Sequence, residues 1–170
     1  MRWGHCQEFG DGGCRQRVFA EESDELNLFQ NPPELQVKSL LTDAQLPISD
    51  LSPDKLKHFF GCGTAQTLQG VVGLEIYGTV ALLRSLAVVE NYRGKGCGKA
   101  LVAEAERYGE SKGVRELYLL TTTAEGFFER LGYRRSIRES ALEAIRTTSE
   151  FSRLCPSNST LMAKTLRANT

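Results

Sequence analysis

The feature that most constrains the fold is residues 80–113, where an apolar run precedes a glycine-rich turn and a long amphipathic segment. The run VALLRSLAVV (80–89) predicts a strand buried on both faces, because a half-buried strand would alternate apolar and polar residues. The segment after the turn predicts a helix that Gly113 ends. A strand, a glycine-rich turn and a helix in this order form an arrangement that binds phosphate groups.

The glycine-rich turn has the chemistry that an anionic ligand requires. The first N–H groups of a helix have no partner within the helix, and the helix dipole adds partial positive charge there. Glycines allow the backbone to approach a pyrophosphate closely. Arg93, Lys95 and Lys99 add positive charge around the turn. The alternative interpretation is an ordinary glycine-rich turn before an amphipathic helix.

The spacing of the turn excludes two common phosphate motifs. A Walker A loop requires Ser or Thr after its lysine, but Ala100 follows Lys99. The dinucleotide fingerprint requires G-x-G-x-x-G. The glycines of GKGCGK lie two residues apart, and Lys99 stands where the third glycine of the fingerprint would be. The pattern that remains is R-x-x-G-x-G, from Arg93 to Gly98.

Strands and helices are predicted on both sides of this unit. ELNLFQ predicts a first strand, and two helices follow. The first is capped by Asn31 and has Leu35, Leu41 and Ala44 near one face, and the second is capped by Ser52 and ended by Gly61. AQTL and VVGLEIY read as strands joined by a turn at 69–70. After the long helix come a strand, a short helix and late strands. The order predicts a mixed α/β (α+β) fold.

The length of 170 residues is typical of one domain. Residues 1–22 are glycine-rich and irregular, so we predict an N-terminal extension there and the domain at 23–170. Five cysteines without a C-x-x-C pair indicate reduced thiols and a cytoplasmic protein. His5, Cys6 and Cys14 are one ligand short of a structural zinc site, so no metal is predicted.

Charge and hydropathy argue against two classes of partner. Lys+Arg and Asp+Glu both total 21, so the basic excess typical of nucleic-acid binders is missing. The arginines between 130 and 138 are dispersed among glutamates and indicate a solvated face. No apolar run approaches the ~20 residues of a membrane span. We therefore expect neither nucleic acid nor membrane as a partner.

The segment LAVVENYRGKGCGKALVAEAE resembles the acetyl-CoA-binding motif of the GNAT superfamily of N-acetyltransferases, and AEGFFERLGY (124–133) resembles the second motif of that family. The similarity covers roughly residues 24–167. It implies the GNAT-type acyl-CoA acyltransferase fold, with a central mixed sheet of six or seven strands and about four helices. ALLRSLAV, LYLLTTTAEGFFERLGYRR and AIRTTSEFSRLCP are together similar to the arsenic-resistance (ArsN-type) acetyltransferases.

The superfamily resemblance implies acetyl-CoA as cosubstrate. The R-x-x-G-x-G loop would bind the CoA pyrophosphate, the preceding strand would bind the pantetheine through its backbone, and N–H groups near residues 86–88 would polarise the thioester carbonyl. The predicted cofactor residues are Leu86, Ala87, Val88, Arg93, Gly94, Lys95, Gly96, Cys97, Gly98, Lys99, Phe127 and Phe128.

Candidates for the acceptor side are fewer. Glu75 is a candidate base that would take a proton from the amine, directly or through water; Glu125 is a second, and a solvated carboxylate is the alternative interpretation of Glu75. Arg84 interrupts an otherwise apolar strand. With its neighbour Ser85 it is predicted to bind substrate by clamping an anionic group, the alternative being a structural pair with a buried acid.

One position departs from the family pattern. Phe128 stands where much of the family has a tyrosine that protonates the leaving thiolate, and a phenyl ring donates no proton. Tyr77, Tyr118 or a water could substitute, or CoA could leave as the thiolate. Cys155 is predicted to be a buried thiol, because nothing near it in the sequence would lower its pKa.

Three functions compete at this point. The first is an N-acetyltransferase that acts through a ternary complex on the primary amine of a small molecule, an amino acid or an arsinate or phosphinate analogue of one. The second is a non-catalytic acyl-CoA-binding or regulatory module, favoured by the phenylalanine at 128. The third is a protein N-acetyltransferase, which an open acidic groove would favour. Homodimerisation through the late strands is also expected.

Overall fold

The computed structural model describes residues 26–154 and 156–167. The predicted extension at 1–22, the candidate zinc ligands and Cys155 lie outside these residues. Within them one sheet has seven strands. In chain order they are β1 (Leu28–Gln30), β2 (Phe59–Gly63), β3 (Leu68–Tyr77), β4 (Val80–Val88), β5 (Glu116–Thr121), β6 (Arg134–Arg135) and β7 (Thr160–Thr165).

The helices lie between these strands. They are α1 (Glu34–Asp43), α2 (Pro53–Leu56), α3 (Cys97–Ser111), α4 (Glu125–Arg130) and α5 (Glu143–Arg146). Short 3₁₀ turns occur at Glu90–Tyr92 and Arg138–Ser140, and a π-helical turn at Glu150–Leu154. The order of the strands across the sheet is β1-β2-β3-β4-β5-β7-β6. The predicted mixed α/β sheet is confirmed.

The chain crosses over only once between parallel neighbours in the described sheet. β4 and β5 are parallel, and every other neighbouring pair is antiparallel. Parallel strands need a crossover connection, and α3 supplies it. The turn and helix that follow β4 therefore lie at the carboxyl end of a central strand, as the sequence predicts.

β4 is buried along most of its length, as its apolar sequence predicts. Its side chains alternate between two cores. Leu83 packs in the core that α3 covers, with Leu101 and Ala105 of that helix. Leu82 packs on the opposite face, with Ile145 of α5. The strand is apolar because both faces of the sheet are covered.

The predictions for the first two helices differ in outcome. Ser52 caps α2 as expected, since its hydroxyl accepts from the backbone N–H of Lys55. The cap predicted for Asn31 is wrong. That residue has a left-handed φ of 59°, and α1 starts at Glu34 without a side-chain cap. Of the apolar residues predicted near one face of this helix, Leu41 is buried, but Leu35 is 80% exposed.

A strand was missed where Gly61 was predicted to end a helix. α2 stops at Leu56, and Gly61 lies in β2, where a Cβ would lie 2.6 Å from Cδ1 of Leu68. The turn predicted at 69–70 is also wrong, because β3 is continuous through Gly70. A Cβ at Gly70 would lie 2.7 Å from Sγ of Cys97. Both glycines serve close packing rather than chain reversal.

Candidate functional site

β4 and β5 separate halfway along the sheet. Their parallel pairing ends at Leu82 opposite Tyr118. On its other side β4 carries a bulge, because Arg84 pairs with Gly73 and Ala87 with Val71, which leaves two β4 residues opposite one β3 residue. Ser85 lies in this bulge with a φ of 57°. A bulge changes the direction of side chains and ends regular pairing, and here it lies where the two strands part.

Two cavities adjoin the gap between β4 and β5. We call the first, of about 620 Å³, the glycine-loop cavity. Its lining residues include Tyr92, Arg93 and Arg130. We call the second, of about 350 Å³, the Arg84 cavity; it extends from Arg84 to Phe128 and Glu150. The lining residues common to both cavities are Leu46, Leu86, Thr123 and Ala124.

The glycine loop is wound as an anion site would require. Gly94 and Gly96 have φ values of 76° and 86°, which side chains rarely adopt. Gly96 is the N-cap of α3, and no side chain caps the helix. Its first N–H groups are therefore available to a ligand. Nε of Arg93 donates to the carbonyl of Val88 at 3.0 Å, which fastens the loop to the end of β4.

Most of the predicted cofactor residues line the glycine-loop cavity. They are Leu86, Ala87, Val88, Arg93, Gly94, Gly96, Gly98, Lys99 and Phe127. Lys95, Cys97 and Phe128 are not among its lining residues. Nζ of Lys95 lies 5.4 Å from the ring centroid of Tyr92. Burial and the neighbouring Cys62 raise the pKa of the Cys97 thiol, so this thiol is a packing group.

The two phenylalanines of α4 line different cavities. A Cβ on Gly98 would lie 3.4 Å from the ring of Phe127, so glycine leaves a groove there. Phe128 lines the Arg84 cavity, and its ring stacks edge-on against Phe127 and Tyr133, with centroids 5.0 and 5.5 Å away. Phe128 is thus a packing group, and of the two rings predicted to contact the cofactor only that of Phe127 borders the glycine-loop cavity.

The tyrosines considered as substitutes for the missing proton donor lie elsewhere. The hydroxyl of Tyr77 donates to Oε2 of Glu75 at 2.5 Å. Burial and Glu116 raise the pKa of Tyr118 to about 12. Neither tyrosine is among the described residues that line the two cavities.

Arg84 is surrounded by acids. We call this group the Arg84 cluster, and its members are Arg84, Asp50, Lys55, Glu75 and Glu150. Nη1 of Arg84 donates to Asp50 (2.5 Å) and to Glu75 (2.6 Å). Nη2 donates to the other oxygen of Asp50 at 2.9 Å and lies 3.0 Å from Oε2 of Glu150. Lys55 lies 2.7 Å from Asp50 and 3.2 Å from Glu75.

These contacts do not support the predicted clamp on an anionic substrate. A guanidinium has five N–H donors. Those of Arg84 face three carboxylates and the hydroxyl of Ser85, which accepts from Nε at 3.2 Å. The side chain of Arg84 has no exposed surface. The arrangement corresponds to the alternative interpretation, a structural pair with buried acids. Ser85 lines the Arg84 cavity, but its hydroxyl accepts from Arg84.

The same contacts weigh against Glu75 as the base. Burial opposes ionisation of Glu75, but hydrogen bonds from Tyr77 and Arg84 outweigh burial and lower the pKa of the carboxyl. Both oxygens of Glu75 already accept hydrogen bonds, Oε2 from Tyr77 and Oε1 from Arg84. Glu75 is also absent from the lining of the Arg84 cavity. Glu125 pairs with Arg135 and accepts from the hydroxyl of Thr160, and it lines neither cavity.

Glu150 is the acid that does line the Arg84 cavity. It begins the π-helical turn after α5 and is buried, with 7% of its surface exposed. Glu150 was not among the site residues predicted from the sequence. No local pattern separates Glu150 from the exposed Glu139 and Glu143, because its burial depends on contact with a distant strand.

The described residues contain neither a metal site nor a membrane span. No group of three or more His, Cys, Asp or Glu side chains at 26–154 and 156–167 is arranged to hold a metal ion. Over the same residues, no helix has the length and apolar character needed to cross a membrane.

The model of the Acetyltransferase (GNAT) family matches residues 15–133. The chain therefore belongs to this family, and the resemblance seen in the glycine loop and in α4 is confirmed at that level. The comparisons do not place it in the arsenic-resistance group.

A curated relative is the Uncharacterized N-acetyltransferase CT2212 of Chlorobaculum tepidum. It is 38% identical over 88 residues, which are 51% of this chain and 56% of the relative. The match thus spans little more than half the length of the relative, and the same holds for a second one of which 52% is covered.

Solved structures confirm the fold. N-acetylglutamate synthase from Neisseria gonorrhoeae, complexed with coenzyme A and N-acetyl-glutamate, superposes with a TM-score of 0.73 at 16% identity, covering 84% of this chain and 35% of that one. Rv2747 from Mycobacterium tuberculosis, in complex with CoA, superposes with a TM-score of 0.67 at 16% identity, covering 83% and 99%. At these identities the likeness shows a shared fold alone.

Proposed function

We propose that the protein is an acetyl-CoA-dependent N-acetyltransferase that acetylates the primary amine of a small molecule. The observation that carries the proposal is the gap between β4 and β5, where the glycine-loop cavity and the Arg84 cavity meet along shared lining residues. A cofactor in one cavity and an amine in the other would meet at this gap, as direct transfer through a ternary complex requires.

The glycine-loop cavity fits a CoA-like cosubstrate. A Cβ on Gly98 would enter the groove between Phe127 and Val88, so its missing side chain leaves room for a ligand. The first N–H groups of α3, with Arg93 and Lys99, would hold the phosphates. Past Leu82, β4 has no pairing with β5, so its backbone can bind an extended ligand. When bound, acetyl-CoA would supply the thioester.

The β4 backbone would also promote the chemistry. N–H groups of residues 86–88 directed at the gap would stabilise negative charge that develops on a carbonyl oxygen. Phe127 and Leu46 line the same cavity and would exclude water from the reacting atoms. These contributions require no side-chain proton donor.

One observation favours a second candidate, a non-catalytic acyl-CoA-binding module. Phe128 occupies the position where the family resemblance implies a tyrosine, and among the described lining residues of the Arg84 cavity there is no tyrosine. An enzyme would then release CoA as the thiolate or protonate it from the reacting amine. Turnover separates the two candidates, because both would bind acetyl-CoA.

The finer parts of the sequence interpretation stay predictions. An amino acid or an arsinate or phosphinate analogue, the activity implied by the arsenic-resistance group, would need a cation directed into the acceptor cavity. Cytoplasmic localisation and a homodimer through the late strands also rest on the sequence alone, as do the expectations of no nucleic-acid or membrane partner. The chosen assay includes acceptors of both charges.

The test measures acetyl-CoA binding by calorimetry and thiol release with a panel of primary amines. We expect micromolar binding and amine-dependent thiol release. Gly98→Leu should weaken acetyl-CoA binding at least tenfold, since its side chain would occupy the groove beside Phe127. Ser111→Leu, at the exposed far end of the same helix, is the matched control.

Two outcomes would contradict the proposal. Tight acetyl-CoA binding without thiol release for any amine would favour the binding module. Unchanged affinity in Gly98→Leu would show that the glycine-loop cavity is not the cofactor site.

A further inference from the structure

We propose that the acceptor is a cationic amine without an acidic group, and that Glu150 takes its proton. The inference rests on the proposed acetyl transfer and names the substrate class and the base of the same site. It replaces the anionic amino-acid-like acceptor that Arg84 suggested in the sequence.

No described cation in the Arg84 cavity is available to an anionic ligand. Among the described residues that line the Arg84 cavity, Arg84 is the cation, and its five donors face Asp50, Glu75, Glu150 and Ser85. An anionic substrate would have to displace one of these partners. Displacement would leave a carboxylate buried without its charge partner, at a cost of several kcal/mol.

The Arg84 cluster also has more acids than cations. Its described members are three carboxylates and two cations, so one negative charge is in excess. Burial raises the cost of this excess because the local dielectric constant is low. A protonated amine in the cavity would offset the excess charge, whereas a carboxylate, phosphinate or arsinate would add to it.

Position also favours Glu150 among the three acids. Glu150 lines the cavity that adjoins the gap between β4 and β5, whereas Asp50 and Glu75 do not. Arg84 belongs to β4 itself and lies 3.0 Å from Oε2 of Glu150. Arg84 is thus a positioning residue that holds the carboxylate of a C-terminal turn against the strand where the acetyl group would lie.

The remaining lining suits a cation with an apolar body. Hydroxyls of Thr121, Thr122, Thr123 and Ser159 are neutral and can donate or accept. The apolar part of the lining includes Leu46, Leu86, Ala124 and Phe128. This combination fits alkyl or arylalkyl amines.

In the transfer step, the ammonium of the acceptor gives one proton to the Glu150 carboxylate, directly or through water, and becomes a neutral amine. Its nitrogen lone pair attacks the thioester carbon, a C–N bond forms, and the C–S bond breaks. The second proton passes from the nitrogen to the departing sulfur, which gives the amide and free CoA. Release of the first proton from Glu150 to solvent restores the carboxylate.

The wild-type test uses a matched pair of acceptors. Putrescine and γ-aminobutanoate share the same carbon chain, but one ends in an ammonium and the other in a carboxylate. We expect kcat/KM for putrescine to exceed that for γ-aminobutanoate by at least about tenfold, from the excess negative charge. Benzylamine should also react, and phosphinothricin should not. No variant is needed, so a failure to fold cannot obscure the result.

The variant test targets the base. Glu150→Gln should lower kcat/KM for putrescine about 100-fold near neutral pH, which is within the usual contribution of a general base. The deficit should shrink as pH rises towards the pKa of the amine, because neutral amine then comes from solvent. Glu143→Gln, an exposed glutamate on the preceding helix, should leave kcat/KM and its pH profile unchanged. Acetyl-CoA affinity should be equal in all three proteins.

The outcomes distinguish the two proposals. Turnover that favours γ-aminobutanoate or phosphinothricin would overturn the cationic acceptor and leave the acetyltransferase intact. Activity of Glu150→Gln within about threefold of wild type at neutral pH would overturn the role of Glu150. No turnover with any amine would overturn the acetyltransferase and this inference together.

Discussion

The glycine loop and the Arg84 cluster lie at the two sides of the same gap, yet they are built differently. The loop consists of seven consecutive residues, 93–99, and its geometry follows from glycines at fixed spacing. The cluster joins residues 50, 55, 75, 84 and 150, which come from the connection before α2, from α2 itself, from two strands and from the C-terminal turn.

Because of this difference, we expect substitutions in the two halves of the site to have different effects. A local turn depends on the backbone preferences of its own residues, so a substitution there should act on ligand binding and cost little stability. A buried charge cluster depends on the whole fold, and removal of one member leaves the others desolvated. We therefore expect substitutions in the cluster to lower mainly the free energy of unfolding, and substitutions in the loop to lower mainly the affinity for the ligand.

The largest expected effect is on the cluster. Arg84→Met keeps much of the side-chain volume but leaves three carboxylates without their shared cation. We expect the free energy of unfolding to fall by about 3–5 kcal/mol, measured by urea denaturation at neutral pH. Arg107→Met breaks an exposed pair with Glu104 and should cost less than about 1 kcal/mol. Equal losses in the two variants would contradict the contrast.

A smaller effect is expected on acidification. Burial opposes ionisation of Asp50, but hydrogen bonds from Arg84 and Lys55 outweigh burial and lower its pKa from 3.8 to about 2. The pKa is lowered in the folded protein, so this contribution to stability is present above pH 4 and is lost as pH falls towards 2, at roughly 2 kcal/mol. Asp50→Asn should remove this part of the pH dependence in acid-denaturation curves.

The exposed Asp54 provides the control for acidification. It pairs only with Lys57 at the surface in the described structure, and 87% of its side chain is exposed. Asp54→Asn should leave the acid branch nearly unchanged in 0.15 M salt, because exposed pairs are screened. If both variants reduced the loss of stability at low pH equally, burial of Asp50 in the cluster would not be the cause of that loss.

The smallest effect on stability is expected in the loop. Gly96→Ala forces a side chain into a left-handed conformation and should cost about 1 kcal/mol. Gly113→Ala imposes the same strain at a φ of 85°, with open space around the new Cβ, at the other end of α3. Both should destabilise equally, but only Gly96→Ala should weaken acetyl-CoA binding, by about tenfold in calorimetry. If the two variants bound acetyl-CoA with equal affinity, the glycine loop would not be part of the cofactor site.

The sequence predicted those elements whose causes are local. The apolar run of β4, the glycine loop, α3 and the cap of α2 by Ser52 were found where they were expected. The missed β2 illustrates the limit, since Gly61 reads as a helix stop, whereas in the fold it allows Leu68 and Phe29 to approach. Glycine signals flexibility in a sequence, but a structure can use it for close packing instead.

The candidate site divides in the same way. Arg84 could be recognised as exceptional from the sequence, because a guanidinium in an apolar strand requires a partner. Its partners could not be recognised, and the substrate interpretation drawn from it changed once they were seen. Asp50 lies in the connection between α1 and α2, and Glu150 lies in a C-terminal turn, and neither position has a pattern that sets it apart.

The family, the unit of β4, turn and α3, and the glycine loop could be recognised from the sequence, because they depend on residues that are neighbours in the chain. The register of β3 against β4, the gap beside β5 and the charge of the Arg84 cavity could be seen only in the tertiary structure. Those features depend on which distant side chains are buried together. A buried charge requires a partner of opposite charge. Arg84 therefore pairs with the buried acids Asp50, Glu75 and Glu150 and does not offer its charge to an anionic ligand.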